Sequence, residues 1–262
     1  MPNKIYQVDS FCKALFSGNP AAVCPLESWL EDQTMKNIAI ENNLAETAFY
    51  VKERDGYRIR WFSPEMEIDL CGHATLAAAH VLFSHEGFLG NTISFASCSG
   101  ELKVIKKGDQ LILDFPADDI KQVEVTTDML KWFSEKPIEA YKGRSDYMLV
   151  FGSEAEVADI RANLAVLKDL TDCRGVIITA KGENVDFVSR FFAPQSGIPE
   201  DQVTGSAHTT LTPYWSRKLQ QSEFEAIQLS PRKGFLHCKD AGRRTEIGGQ
   251  ARTYLIGEIF LK

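Results

Sequence analysis

The chain of 262 residues carries 29 basic and 36 acidic side chains, a formal charge of -7, and 44% apolar residues, enough for one large domain or two ordinary ones. Its basic residues are scattered rather than gathered in runs, which argues against a nucleic-acid partner. No stretch approaches the roughly 20 consecutive apolar residues of a membrane span, and the start alternates like a strand rather than a signal peptide, so a cytoplasmic protein is expected.

In chain order, a helix from about Trp29 is expected to run out into an apolar strand that holds Glu46. Tyr57 to Phe62 alternates as a strand does. From His73 to Phe83 the pattern changes: Ala74, Leu76, Ala77, Ala78, Ala79, Val81, Leu82 and Phe83 are apolar around the whole circumference. A helix with no polar face must be buried on all sides, which fits one held inside a curled sheet. Leu111 to Phe115 is β-rich. Ser153-Glu154-Ala155-Glu156 is a capping-box pattern that predicts a helix with Val157, Ile160, Leu164 and Leu167 on one face. Val185 to Phe192 returns to β, a helix from Ser206 meets Pro213 and should kink or stop early, and Arg252 to Leu261 makes a long closing strand.

The chain also repeats itself. Arg60-Trp61-Phe62-Ser63-Pro64 is echoed by Arg190-Phe191-Phe192-Ala193-Pro194, an offset of 130, and Gly72-His73-Ala74-Thr75 by Gly205-Ser206-Ala207-His208, an offset of 133. Gly100-Glu101-Leu102 returns as Gly234-Phe235-Leu236, and Leu113 to Ala117 loosely as Ile247 to Ala251, both at 134. Four echoes in one order predict two halves of one design, residues 1–117 and 118–262, with three residues added around Gly197 to Asp201; that the last strand from Arg252 crosses to the first half is what the family resemblance given below implies.

Both internal helices begin at a glycine after a strand and loop, so each offers free N–H groups and a positive dipole end suited to a small carboxylate. Gly72 and Gly205 fit close packing or a tight turn equally well. Glu46, in an apolar run, has the makings of a partly desolvated base, and is also readable as an exposed residue at a helix end. His73 suits proton transfer beside an anion or a loop carbonyl; Asp201 and Ser206 alone read as a turn residue and a helix cap. Cys71 precedes the first helix glycine and Thr204 the second, and a threonine hydroxyl is far too weak an acid and base for two-thiol racemisation. The six cysteines form no Cys-x-x-Cys pair or zinc spacing, and no Gly-x-Gly-x-x-Gly loop is present, so no metal and no organic cofactor is expected.

At these residues the sequence resembles the phenazine-biosynthesis PhzF-like family, a branch of the diaminopimelate-epimerase-like superfamily. The marks are Asp9-Ser10-Phe11, Gly18-Asn19-Pro20-Ala21-Ala22-Val23, Leu44-Ala45-Glu46-Thr47-Ala48-Phe49, Asp69-Leu70-Cys71-Gly72-His73-Ala74-Thr75 and the run from Glu200 to His208. The resemblance implies an α+β protein of two pseudo-symmetric halves, each a curled, mainly antiparallel sheet around a central helix, with the active site in the cleft between them. It implies an isomerase acting on a small carboxylate-bearing substrate, with Glu46, His73 and Asp201 catalytic and Asn19, Gly72, Gly205 and Ser206 holding the substrate. Cys71 and His208 depart from the founding phenazine enzyme and bear on the substrate more than on the chemistry. An epimerase or dehydratase on the same scaffold, a catalytically silent binder and, more distantly, a double hot-dog thioesterase are the rival readings; a homodimer is left open.

Overall fold

The structure is a computed structural model and describes residues 3–261. The chain divides into two compact units, one formed by the residues up to Asp114 together with those from Gly248 onward, the other by Phe115–Ile247.

The first unit contains β1 (Asn3–Ser10), β2 (Asn19–Leu26), β3 (Glu46–Glu53), β4 (Gly56–Phe62), β5 (Glu67–Ile68), β6 (Thr92–Ser97), β7 (Gly100–Lys107) and β8 (Gln110–Pro116). Helix α1 (Asp32–Asn42) lies between β2 and β3, and α2 (Gly72–Ser84) between β5 and β6. β1 and β2 pair antiparallel, as do β3 with β4, β4 with β5, β6 with β7 and β7 with β8. The parallel pairs β2 with β3 and β4 with β6 have helices in their crossovers, α1 and α2. The closing strand β18 (Ala251–Ile259) pairs antiparallel with β1, Ser10 opposite Ala251 and Asn3 opposite Ile259.

α2 packs on β1, β2, β3, β7 and β18. Every residue from His73 to Ala79 is buried. The alanines at 74, 77, 78 and 79 keep the helix thin, so several strands can approach it at once. Its lack of a polar face is thereby accounted for: most of its circumference meets the apolar side of a strand.

The second unit holds β9 (Lys121–Val123), β10 (Glu139–Lys142), β11 (Asp146–Val150), β12 (Gly175–Lys181), β13 (Phe187–Ala193), β14 (Ile198–Asp201), β15 (Glu223–Gln228), β16 (Gly234–Asp240) and β17 (Arg244–Gly249). Its helices are α3 (Glu154–Asp159), α4 (Leu164–Lys168) and α5 (Gly205–Leu219). β10 pairs antiparallel with β11, β11 parallel with β12, β12 antiparallel with β13, β13 parallel with β15 across α5, and β15 antiparallel with β16. That is the order and sense of β1, β2, β3, β4, β6 and β7, with α5 in the place of α2. β9 flanks β10 as β18 flanks β1. The α+β reading of a doubled sheet-around-helix design is borne out.

Two local expectations need correction. The helix from Ser206 does not stop at Pro213 but runs on to Leu219. Pro213 cannot donate to the Thr209 carbonyl, and the Asp118 N–H takes that carbonyl instead at 3.1 Å, so the lost helical bond leaves no orphan acceptor. The helix predicted from Ser153 is two short ones: Ser153 caps α3, Asn163 opens α4 with its own side-chain cap, and Leu164 is largely exposed. The expected passage from a helix into the strand that holds Glu46 is found: α1 ends at Asn43 in a left-handed conformation, and Glu46 is the first residue of β3, not an exposed residue at a helix end. Among the described residues no helix is long and apolar enough to cross a membrane.

Candidate active site

Glu46 enters the first unit at the start of β3, opposite Ala21 of β2 in a parallel register. The first five residues of β3 are all buried, and Glu46 retains 7% of its surface. A carboxylate in that position has traded most of its water for protein neighbours. The neighbour it meets is His73, second residue of α2, whose Nε2 lies 3.2 Å from Glu46 Oε2. The approach is within ion-pair distance but off the hydrogen-bonding direction, so neither atom has an aligned hydrogen-bond partner.

The other edge of the His73 ring is occupied. Nδ1 lies 3.3 Å from Asn19 Nδ2 and 3.6 Å from the Cys71 Sγ. The backbone of His73 is fixed as well, because its carbonyl accepts from the buried Ser10 hydroxyl at 2.8 Å. Gly18 places Asn19: its φ is +75°, and a Cβ there would sit 2.1 Å from the Ser10 carbonyl oxygen. β1, β2, β3 and the start of α2 therefore converge on one imidazole.

Burial alone would lower the His73 pKa, but negative charge on the Cys71 sulfur and on the Glu46 carboxylate beside it outweighs burial and holds it well above the usual histidine range. Burial raises the Cys71 pKa and the Glu46 charge adds to the effect, while His73 pulls the other way. Glu46, Cys71 and His73 present potential ligand atoms within 4.8 Å of one another. The ring turns Nδ1 towards the sulfur, at 3.6 Å, and Nε2 towards the carboxylate, at 3.2 Å, so a proton passing between Glu46 and His73 has a short way to go.

In the second unit Asp201 ends β14, and its Oδ2 accepts from the Thr204 hydroxyl at 2.6 Å. Gln228, fully buried, clamps this turn: its Nε2 donates to the Asp201 carbonyl and its Oε1 accepts from the Thr204 N–H, both at 2.8 Å. Thr204 precedes α5 without capping it, just as Cys71 precedes α2 without capping it. Gly205 is buried, and the Ser206 hydroxyl accepts from Arg174 Nη1 at 2.9 Å. The buried His208 donates from Nδ1 to the Thr204 carbonyl, and burial pushes its pKa down to about 4.

The structure thus gathers Asn19, Glu46, Gly72 and His73 around the start of α2, and Asp201, Gly205 and Ser206 around the start of α5. Ser10, Arg174 and Gln228 escaped the sequence reading. Ser10 stood in a quoted motif with no role, while Arg174 and Gln228 are single polar residues at strand ends with no pattern around them.

The sequence matches the family model described as phenazine biosynthesis-like protein over residues 8–257. The chain belongs to that family. An uncharacterized isomerase of Pseudomonas aeruginosa is 46% identical over 257 residues, 98% of each chain, and the human phenazine biosynthesis-like domain-containing protein is 36% identical, covering 97% of this chain and 98% of its own. Among solved structures, a PhzF-family protein of Enterococcus faecalis superposes with a TM-score of 0.97 at 48% identity over the whole of both chains. A probable proline racemase from Agrobacterium radiobacter, 9% identical with a TM-score of 0.67 over 99% of this chain and 93% of its own, shares the fold alone. As a member of the phenazine biosynthesis-like family with relatives named as isomerases, the protein is an isomerase.

Proposed function

We propose that the protein moves a proton within a small carboxylate-bearing metabolite by general acid/base catalysis, with Glu46 as the group that takes and returns it and with neither metal nor organic cofactor. The observation that carries this reading is the buried Glu46–His73 pair, 3.2 Å apart. A carboxylate largely but not wholly shielded from water can take a proton from one carbon and deliver one to the same molecule, trading it with solvent in between.

In the proposed step the substrate's α C–H bond breaks, the proton goes to Glu46, and the electron pair enters an enolate. The double bond shifts, and Glu46 returns the proton to a different carbon, or to the same carbon. His73 offers its Nε2–H to the charge that develops. Gly72 and the first turn of α2, which no side chain caps, supply backbone donors for a carboxylate or enolate oxygen. Asn19, beside His73 Nδ1, is assigned to substrate binding with it. Gly205 and Ser206 offer a second set of donors suited to a carboxylate, and Asp201, oriented by Thr204, is a further acid/base group.

The test is a panel of small amino and hydroxy acids incubated in deuterated water and followed by NMR and mass. Wild type should exchange one proton of at least one acid and Glu46→Gln should not. No exchange by wild type, or full exchange by Glu46→Gln, defeats the reading. A product lighter by one water identifies a dehydratase, and an inverted centre with no mass change beyond the deuterium taken up an epimerase.

A further inference from the structure

We propose that Arg174 is a positioning residue that acts through Ser206, holding its hydroxyl so that the hydroxyl proton points at the substrate's carboxylate. This rests on the role given to Ser206 above and adds the residue that would make that role work.

Arg174 directly precedes β12, and its backbone N–H is tied to the Ser145 carbonyl at 2.7 Å. Its Nε and Nη2 make a fork onto the two carboxylate oxygens of Asp146, a residue only 3% exposed. One face of the guanidinium lies over the Phe191 ring, 5.2 Å from its centroid. The ring can come that close because residue 175 has no side chain; a Cβ on Gly175 would stand 2.4 Å from Phe191 Cζ. Fork, ring and backbone leave the guanidinium plane no freedom to turn.

What remains is Nη1, and it donates to the Ser206 hydroxyl at 2.9 Å. Arginine has five N–H donors and no acceptor, so the Ser206 oxygen must be the acceptor in this bond and its own proton must go elsewhere. No acceptor for that proton is present among the described residues. The Ser206 carbonyl is already taken by the Thr209 hydroxyl, and the residue is half-exposed. A hydroxyl that accepts from a cation is a stronger donor in turn, so its exposed proton is directed and sharpened for an anion. Arg174 is not itself the carboxylate clamp, because its fork is committed to Asp146.

The measurement uses the acid whose proton wild type exchanges, with KM and kcat determined for Ser206→Ala, Arg174→Met, Arg174→Lys and the double variant Ser206→Ala/Arg174→Met. Losing a hydrogen bond to a charged group raises KM by about tenfold or more, with a smaller change in kcat. Ser206→Ala and Arg174→Met should each do this, and the double variant should be no worse than the worse single one, because both remove one device. Arg174→Met strands the buried Asp146 charge and can lose stability for that reason alone. Arg174→Lys keeps a charge beside Asp146 but cannot span both partners, so it should melt near wild type and still show the raised KM. Additive effects in the double variant, or a wild-type KM in Arg174→Lys, overturn the proposal while Glu46-dependent exchange leaves the function standing. No exchange of any acid removes both together.

Discussion

Glu46 Oε2 and His73 Nε2 stand 3.2 Å apart, with the ring's second nitrogen already engaged between Asn19 and Cys71. A base so placed has one free direction for a proton and one polar neighbour to steady its charge. Replacing Glu46 by Gln keeps the shape and removes the base, which should lower turnover by about 10²–10⁴ with KM little changed. The melting temperature should hold or rise, because a carboxylate buried in a strand costs desolvation that an amide does not. A Glu46→Gln protein that turns over at the wild-type rate would remove Glu46 from the mechanism.

Gly18→Ala should be far more damaging than its size suggests. The φ of +75° strains any side chain, and the added Cβ meets a backbone oxygen at 2.1 Å with no flexible group to give way. A loss exceeding about 2 kcal/mol is expected. Because Asn19 follows directly, the His73 side-chain resonances should shift as well. Chemical denaturation and histidine NMR read the two effects separately; unchanged values in both would show that the turn can relax.

His208 gives the stability curve an acid limb. Its folded pKa, pushed down to about 4 by burial, lies below the ordinary value of 6.5, so the unfolded chain binds the extra proton first. Stability is full above about pH 6.5 and falls as pH drops towards 4, by about 3 kcal/mol for this group. His80, held down to about 4 by burial and by His85, Lys106 and Arg252, bends the curve the same way. His208→Asn, which keeps a donor for the Thr204 carbonyl but does not titrate, should flatten part of this limb in urea unfolding between pH 4 and 7.

Much of this arrangement could be read before any coordinates. The echo between Gly72-His73-Ala74-Thr75 and Gly205-Ser206-Ala207-His208 is physical as well as textual: Thr75 and His208 bond back to the carbonyls of Cys71 and Thr204, one residue ahead of each helix, at 2.6 and 2.9 Å. Patterns of four or five residues survive because helix starts demand local solutions. What stayed hidden depends on distant partners. Nothing near Pro213 reveals that Asp118 will satisfy the carbonyl it leaves free, and nothing near Ser206 points to Arg174. The break between α3 and α4 was missed because a 3.6-residue apolar stripe looks the same whether or not Asn163 interrupts it.

The six free thiols should separate by accessibility. Cys98 is exposed and should react first with an aromatic disulfide reagent. Cys173, half-buried with its pKa pushed up to about 11, should follow slowly. Cys12, Cys24, Cys71 and Cys238 are buried and should report only on unfolding. Rapid native labelling of Cys71, followed by mass spectrometry, would show that the His73 pocket opens.

Metal analysis of the purified protein should find less than stoichiometric zinc, and chelators should leave exchange intact, because the proposed transfer is carried by side chains alone and Glu46, Cys71 and His73, though within 4.8 Å of one another, offer three ligand atoms where a closed zinc site takes four. Stoichiometric metal with activity lost on chelation would overturn that reading.

The pairing of β18 with β1 also sets an order of events during synthesis. Ser10 cannot meet Ala251 until nearly the whole chain has been made, whereas Phe115 to Ile247 are contiguous and have all their strands once β17 emerges. Folding that must wait for distant partners is slow and leaves apolar edges uncovered. A nascent chain will therefore carry β1 and the apolar α2 without their last cover while the later unit closes beside the ribosome. The half that holds Glu46 and His73 is the first to be translated and the last to be finished.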